Sequence, residues 1–203
     1  MEWYWCVTMI LAAYLVGSLS FSAIVAKANG VDIFSSGSGN PGATNVHRTV
    51  GIYAGRLVFV LDLLKGFLPC LAALHFLSIG NGFNVRMATI TLFGVLCGHN
   101  FSIFHGFRGG KGISSTMGGI LAIMPCTLVV GVFVWGVIFH ATRIVSVASL
   151  CFTASVLLTS YLFSYPQDCV IFSLILNVMV FWKHRGNILR LINGTEYKFS
   201  DKN

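Results

Sequence analysis

Charge is what this sequence has least of. Its 203 residues hold thirteen Lys and Arg and six Asp and Glu, 9% in all, where a soluble domain carries about 25%. Such a chain cannot cover itself with polar surface in water. That excludes an ordinary soluble enzyme and a disordered chain, and it leaves lipid to supply the outside. The six cysteines, Cys6, Cys70, Cys97, Cys126, Cys151 and Cys169, form no CxxC and sit in or beside apolar runs. They read as small hydrophobes, not as bridges or ligands. No basic residue precedes the first apolar run, so that run is a retained helix and not a cleaved signal. There is no zinc-finger spacing, and the basic residues are scattered over loops, which excludes a nucleic-acid module. GxSxG, His-x4-Asp and any aspartate or metal-ligand cluster are also missing.

What is present is apolar. Hydrophobic residues make up 56% of the chain, and mean hydropathy is +0.81. About 20 apolar residues suffice to cross a bilayer as a helix. Candidate spans are 3–26, 57–77, 87–101, 144–165 and 169–182. The stretch 112–142 has no Asp, Glu, Lys or Arg and is either one span or two short ones broken near Met124-Pro125. Charge decides between the two. With the N-terminus outside and a broken pair, eleven of the thirteen cations fall on the inner side, Arg86 alone is outside, and Lys65 lies within a helix. The positive-inside rule therefore predicts a single all-α integral membrane domain over 1–203, with seven transmembrane segments, N-terminus out and C-terminus in. The two short segments are expected to pack against protein in part.

The polar chemistry gathers on the inner side, with a formal charge of +7 over the chain. Residues 36–45, Ser-Gly-Ser-Gly-Asn-Pro-Gly-Ala-Thr-Asn, bring glycines, hydroxyls and amides ahead of Arg48. Such a loop lets backbone N–H groups close on an anion, and Arg48 offers a planar fork for phosphate. A second loop runs Gly98-His99-Asn100-Phe101, then Phe107-Arg108-Gly109-Gly110-Lys111-Gly112 and on to Ser115. Basic residues on a Gly-rich turn that enters an apolar helix suit an anion. It is not a Walker A loop, because His105 and Gly112 stand where that motif needs Gly and Ser or Thr. The third motif, Lys183-His184-Arg185-Gly186-Asn187 to Arg190, begins where the last span ends, and helical spacing puts His184 and Asn187 on one face. Asp62 and Lys65 form an intramembrane pair, which is either functional or mutually neutralising. His75, His105 and His140 read as structural. Gly51-xxx-Gly55 and Gly94-xxx-Gly98 are expected to let helices approach closely.

These motifs, in this order, resemble the membrane glycerol-3-phosphate acyltransferase family called PlsY, from Gly17 to Lys198. The matching elements are Gly37 to Arg48, Leu61 to Gly66, Gly98 to Gly112 and His184 to Leu191. Ser102, Phe34, Arg108 and Gly186 depart from the family's usual residues. The resemblance implies a seven-helix enzyme of the bacterial inner membrane with its site facing the cytoplasm. It implies transfer of a fatty acyl group from acyl phosphate to the sn-1 hydroxyl of glycerol 3-phosphate, with lysophosphatidic acid and inorganic phosphate as products. No cofactor and no metal are expected, and a monomer in lipid is. The implied catalytic residues are Ser38, Arg48, Lys111, His184 and Asn187. The implied substrate-binding residues are Gly37, Gly39, Asn40, Gly42, Thr44, Asn45, His99, Arg108, Gly109, Gly110, Gly112, Ser115 and Arg185. Arg48 and Lys111 would hold phosphates, Ser38 and Asn40 would donate to phosphate or to the reacting carbonyl, and His184 and Asn187 would orient glycerol 3-phosphate. The general base is either His184 or a substrate phosphate. Two other classes make different demands on the sequence. An anion transporter would want mid-membrane polar groups and inverted repeats, and a phosphatidyl transferase would want aspartates for metal. Asp62 and Lys65 would lie on the transporter's pathway, but no convincing repeat is present, the other polar groups gather at one face, and clustered aspartates are absent.

Overall fold

The computed structural model describes residues 2–76 and 83–199, and every regular element in them is helical. The chain forms two compact units, residues 1–123 and 124–203. In the first, α1 (Glu2–Ser18) and α2 (Phe21–Ala28) lead to a short α3 (Ala43–Thr49). Then come α4 (Ile52–Phe76), α5 (Phe83–Asn100) and α6 (Ile113–Ile123). In the second, α7 (Pro125–Thr142), α8 (Val145–Leu162) and α9 (Gln167–Lys183) precede the short α10 (Arg185–Ile192).

Five stretches are long and apolar enough to cross a membrane: Val7–Ala28, Ile52–His75, Asn84–His105, Pro125–Thr142 and Val145–Leu162. Gln167–Lys183 with Arg185–Ile192, bent by 57°, makes a sixth if counted as one span. The expected break at Met124-Pro125 is there, with Pro125 at the first turn of α7. Its partner α6 has only 11 residues, about 16 Å against a hydrocarbon core of about 30 Å. Seven of them, from Ser115 to Ile123, are buried and Leu121 is exposed, so α6 lies mostly against protein.

Three expectations are corrected. The first span is not continuous: it breaks at Leu19-Ser20, where Ser20 caps α2 by accepting the Ala23 N–H at 3.3 Å. The loop expected over 27–56 contains α3, and α4 starts at Ile52, so Arg56 is helical. Gly51 is a turn residue at φ +133° where a β-carbon would meet nothing within 4 Å, and of that pair only a β-carbon on Gly55 would meet a neighbour, His47. Most of the turn expected at 78–86, and the side chain of Cys6, lie outside the described residues. The other five cysteines are free thiols.

Glycine sets the helix spacing within the first unit. A β-carbon on Gly98 would stand 2.1 Å from Tyr14 O, and one on Gly94 2.8 Å from Ile10 O, so α1 and α5 touch backbone to backbone as the Gly94-xxx-Gly98 spacing predicts. Gly66 and Gly118 do the same for α4 and α6. In the second unit the tail folds back, with Phe199 N–H donating to Arg143 O at 2.7 Å and its ring meeting Phe139 edge-on.

Candidate active site

The first motif is built around Asn45. Its Oδ1 accepts the Ser38 N–H at 2.9 Å, and its Nδ2 donates to Ser36 O at 2.9 Å and Ile33 O at 3.3 Å. A buried amide thus ties both sides of the loop. Gly37 and Gly39 turn it at φ +58° and +67°, and a β-carbon on Gly37 would strike Asn45 Oδ1 at 2.3 Å. Upstream, Asp32 opens the loop: its carboxylate takes the Ser35 hydroxyl and the Phe34 N–H, which hold it below its ordinary value. The loop rests on Ala26, Ile33, Val46 and Val58. Ser38 is exposed, while Asn40, Thr44 and Arg48 are half-buried around it.

The second motif lies across the end of α5. Gly110 N–H donates to His99 O at 3.0 Å. A β-carbon on Gly110 would stand 2.3 Å from His99 Nε2 and 2.6 Å from Pro41 O, so the two Gly-rich loops meet at this residue. Gly109 crosses His99 O and Asn100, and Gly112 turns at φ +79° against Leu96 and Asn100. Lys111 is half-buried between them. Arg108 is exposed; it stacks on the Phe34 ring at 4.9 Å and reaches Phe34 O at 3.4 Å, a second link between the loops. Beyond Gly112, the Ser115 and Thr116 hydroxyls are buried with no hydrogen-bonding partner.

Beneath this loop sits the Asp62–Lys65 pair. Lys65 Nζ lies 2.8 Å from Asp62 Oδ1, 2.9 Å from Leu19 O and 3.0 Å from His99 Nδ1. The break at Leu19-Ser20 frees carbonyls that a continuous helix would use. Lys65 takes that of Leu19, and Ser102 takes that of Ser18 at 2.7 Å.

The third motif belongs to the second unit. His184 caps α9 and opens α10, and it is buried. Its Nδ1 lies 2.8 Å from Val180 O. A carbonyl only accepts, so Nδ1 carries the proton and the neutral ring has its lone pair on Nε2. Asn187, one turn on, donates to Glu196 Oε1, which also receives the Ser146 hydroxyl at 2.8 Å. Arg190 Nε reaches Glu196 Oε2 at 2.7 Å. Desolvation pushes the Glu196 carboxyl up, but the bonds from Asn187, Ser146 and Arg190 outweigh it and hold it below its ordinary value. The sequence reading had not singled out Glu196. Its signal was scarcity: it is the one carboxylate between Asp168 and Asp201. Arg185, exposed, stacks on Trp182 at 4.4 Å.

Among the described residues no three His, Cys, Asp or Glu side chains come together. The chemistry on offer is therefore that of hydrogen-bond donors and cations on two interlocked Gly-rich loops, and of a buried imidazole and amide on α9–α10.

The family model described as glycerol-3-phosphate acyltransferase matches residues 7–194. A glycerol-3-phosphate acyltransferase of Aquifex aeolicus is 38% identical over 191 residues, covering 94% of this chain and 97% of its own. One of Halalkalibacterium halodurans is 40% identical over 200 residues, covering 96% and 95%. A crystal structure of PlsY, an integral membrane glycerol 3-phosphate acyltransferase, in its glycerol 3-phosphate form superposes with a TM-score of 0.90 at 37% identity, covering 96% of both chains. Its lysophosphatidic acid form superposes at 0.87. Matched at these identities over nearly its whole length, and rich in apolar helices of spanning length, the chain belongs to the glycerol-3-phosphate acyltransferase family of integral membrane enzymes of lipid biosynthesis.

Proposed function

We propose that this acyltransferase moves a fatty acyl group from acyl phosphate to the sn-1 hydroxyl of glycerol 3-phosphate. The observation that carries the reading is the interlocking of two Gly-rich loops at Gly110, with Arg108 and Lys111 on the second and Arg48 on α3, which follows the first, in a chain with only thirteen Lys and Arg. Donor and acceptor substrates both carry phosphate. Glycine backbone, hydroxyls and cations on a lipid-bound chain suit phosphates that arrive with an acyl tail. The relatives' names and the glycerol 3-phosphate and lysophosphatidic acid forms of PlsY support the acceptor and the product.

In this reading the hydroxyl oxygen attacks the acyl carbonyl carbon, the bond from that carbon to the phosphate oxygen breaks, and inorganic phosphate leaves. Arg48 and Lys111 hold phosphate, and Ser38 and Asn40 donate to the phosphate or to the carbonyl oxygen as it gains charge. Gly37, Gly39, Gly42, Thr44, Gly109, Gly112 and Ser115 shape and line that cradle, and Arg108 adds charge at its edge. Asn45 builds the first loop from within, since its amide is spent on loop backbone. His184, Asn187 and Arg185 orient glycerol 3-phosphate. Phosphate is a good leaving group, so positioning and charge neutralisation carry most of the rate. The hydroxyl proton goes to His184 Nε2 or to a phosphate oxygen. The enzyme acts as a monomer, without cofactor or metal, in the bacterial inner membrane, with seven segments, N-terminus out, and its site toward the cytoplasm. The reaction is the first step of phospholipid synthesis.

The test uses purified protein in detergent or lipid mesophase, given acyl phosphate and glycerol 3-phosphate without metal or CoA. Phosphate release that requires both substrates and disappears in Lys111→Ala is expected. Release that is absent there, and absent with acyl-CoA and acyl carrier protein donors, overturns the reading and points to anion flux. In the same assay His184→Ala tests His184 as the base. A loss of only several-fold rules out His184 as the base and leaves the proton to phosphate.

A further inference from the structure

Among the described residues of the first unit, Asp62 and Lys65 are buried charges that the reaction above leaves unused. Asp62 is 2% exposed, Lys65 5% and His99 9%. An ammonium has three N–H donors and no acceptor. Those of Lys65 face Asp62 Oδ1, Leu19 O and His99 Nδ1, all within 3.0 Å. Lys65 is thus engaged on three sides by protein atoms. The contacts join three parts of the first unit: α4, the break between α1 and α2, and the end of α5.

What lies on the other side of His99 gives this joint a purpose. Lys65 donates to Nδ1, so the neutral imidazole carries its proton on Nε2, the atom that faces Gly110. The His99 carbonyl takes the Gly110 N–H. Gly109 and Gly110 therefore press on both the backbone and the ring of one residue. Glycines have no side chains by which to anchor themselves and populate many conformers. The register of the Gly109–Gly112 loop must come from the surface beneath it, and His99, held by Lys65, is the part of that surface that meets both Gly109 and Gly110, beside Asn100, Leu96 and Pro41.

We propose that Asp62, Lys65 and His99 form a buried clamp that positions the Gly109–Gly112 loop for the phosphate of its substrate. Lys65 and Asp62 are positioning residues that act through His99 and touch no reactant. The proposal rests on the reading of that loop as a phosphate site. A loop ordered in advance spends less of its binding energy on becoming ordered. Loss of the clamp therefore weakens phosphate binding and leaves the chemical step nearly intact.

The experiment compares wild type with Asp62→Asn/Lys65→Met, a pair that removes both charges together and leaves no lone buried ion. Expected is a rise of about tenfold or more in KM for glycerol 3-phosphate, and in Ki for inorganic phosphate, with kcat within about threefold. Asp62→Asn alone keeps the Lys65 donor and raises KM less. Nitrogen NMR of the His99 ring and of the Gly110 amide reads the clamp without any substrate: the Nε2–H tautomer in wild type, and a tautomer mixture with a displaced Gly110 signal in the double variant. An unchanged KM, or a fall in kcat alone, overturns the proposal. If wild type neither turns over nor binds glycerol 3-phosphate, the functional reading falls. The NMR comparison then still decides the clamp: altered ring and Gly110 signals sustain it, and unaltered ones overturn it.

Discussion

At the scale of single residues, Glu196 shows how one carboxylate can organise a polar end. Three donors from α8 and α10 converge on it, and its side chain is 5% exposed. Among them is Asn187, which the proposed reaction has orient glycerol 3-phosphate, so Glu196 sets the direction of that amide. Replacing Glu196 with Ala leaves three partly buried donors without their acceptor. Hydrogen bonds to a charged group contribute about 1.5–3 kcal/mol each and do not add fully, so a loss of about 3 kcal/mol is expected. The check is the unfolding midpoint in detergent; a midpoint equal to wild type would remove Glu196 from the framework. The same carboxylate has a pH signature. Its folded value lies below the ordinary one, so its stabilisation is fully present above the ordinary carboxylate range and is lost as pH falls through the lowered folded value. Acid therefore loosens the 195–199 tail before it unfolds the helices.

At the scale of elements, the break between α1 and α2 and the glycine contacts decide where the loops sit. No proline or charge marks Leu19-Ser20, and the run over 3–26 reads as one span. The break is stable because two distant side chains, Lys65 and Ser102, take the carbonyls it frees. Sequence alone offers no hint of a partner 46 residues away. The close approach of α4 and α6 has a comparable cause. A β-carbon on Gly118 would stand 1.9 Å from Leu63 O, which is backbone and cannot yield. Gly118→Ala is therefore expected to cost about 3 kcal/mol or more. A β-carbon on Gly136 of α7 would meet nothing within 4 Å, and Gly136→Ala there is neutral or stabilises by about 0.5–1 kcal/mol through helix propensity. Thermal midpoints of the two variants, measured side by side, test this; equal midpoints would refute the contact.

At the scale of the whole molecule, the open quantity is the side of the membrane on which each connection lies. The parity of the count hinges on α6, whose 11 residues cover about half the hydrocarbon core. If α6 and α7 together form an inward-returning pair, Arg143 and the basic tail face the cytoplasm, as the positive-inside rule asks. In a cysteine-free background, a membrane-impermeant thiol reagent added to intact cells should label Ser164→Cys and spare Arg143→Cys. Labelling of Arg143→Cys from outside would reverse the second half of the topology. The stake is functional, because the motif from His184 lies on the same side as Arg143 in this arrangement.

The membrane class, the span centres, the Met124-Pro125 break and the three polar motifs were all legible in the sequence. Hydropathy, proline and charge asymmetry act locally and leave their marks in the order of residues. The family resemblance is equally a matter of order and spacing along the chain. Tertiary structure decided what no linear pattern encodes. It showed that Asn45 builds its loop from inside and that Glu196 collects the donors of the last motif. It also showed that Lys65 holds His99 under Gly110. Each of these depends on side chains that meet only after helices pack at glycine contacts, and a buried donor is matched to its acceptor by distance in space, not by distance along the chain.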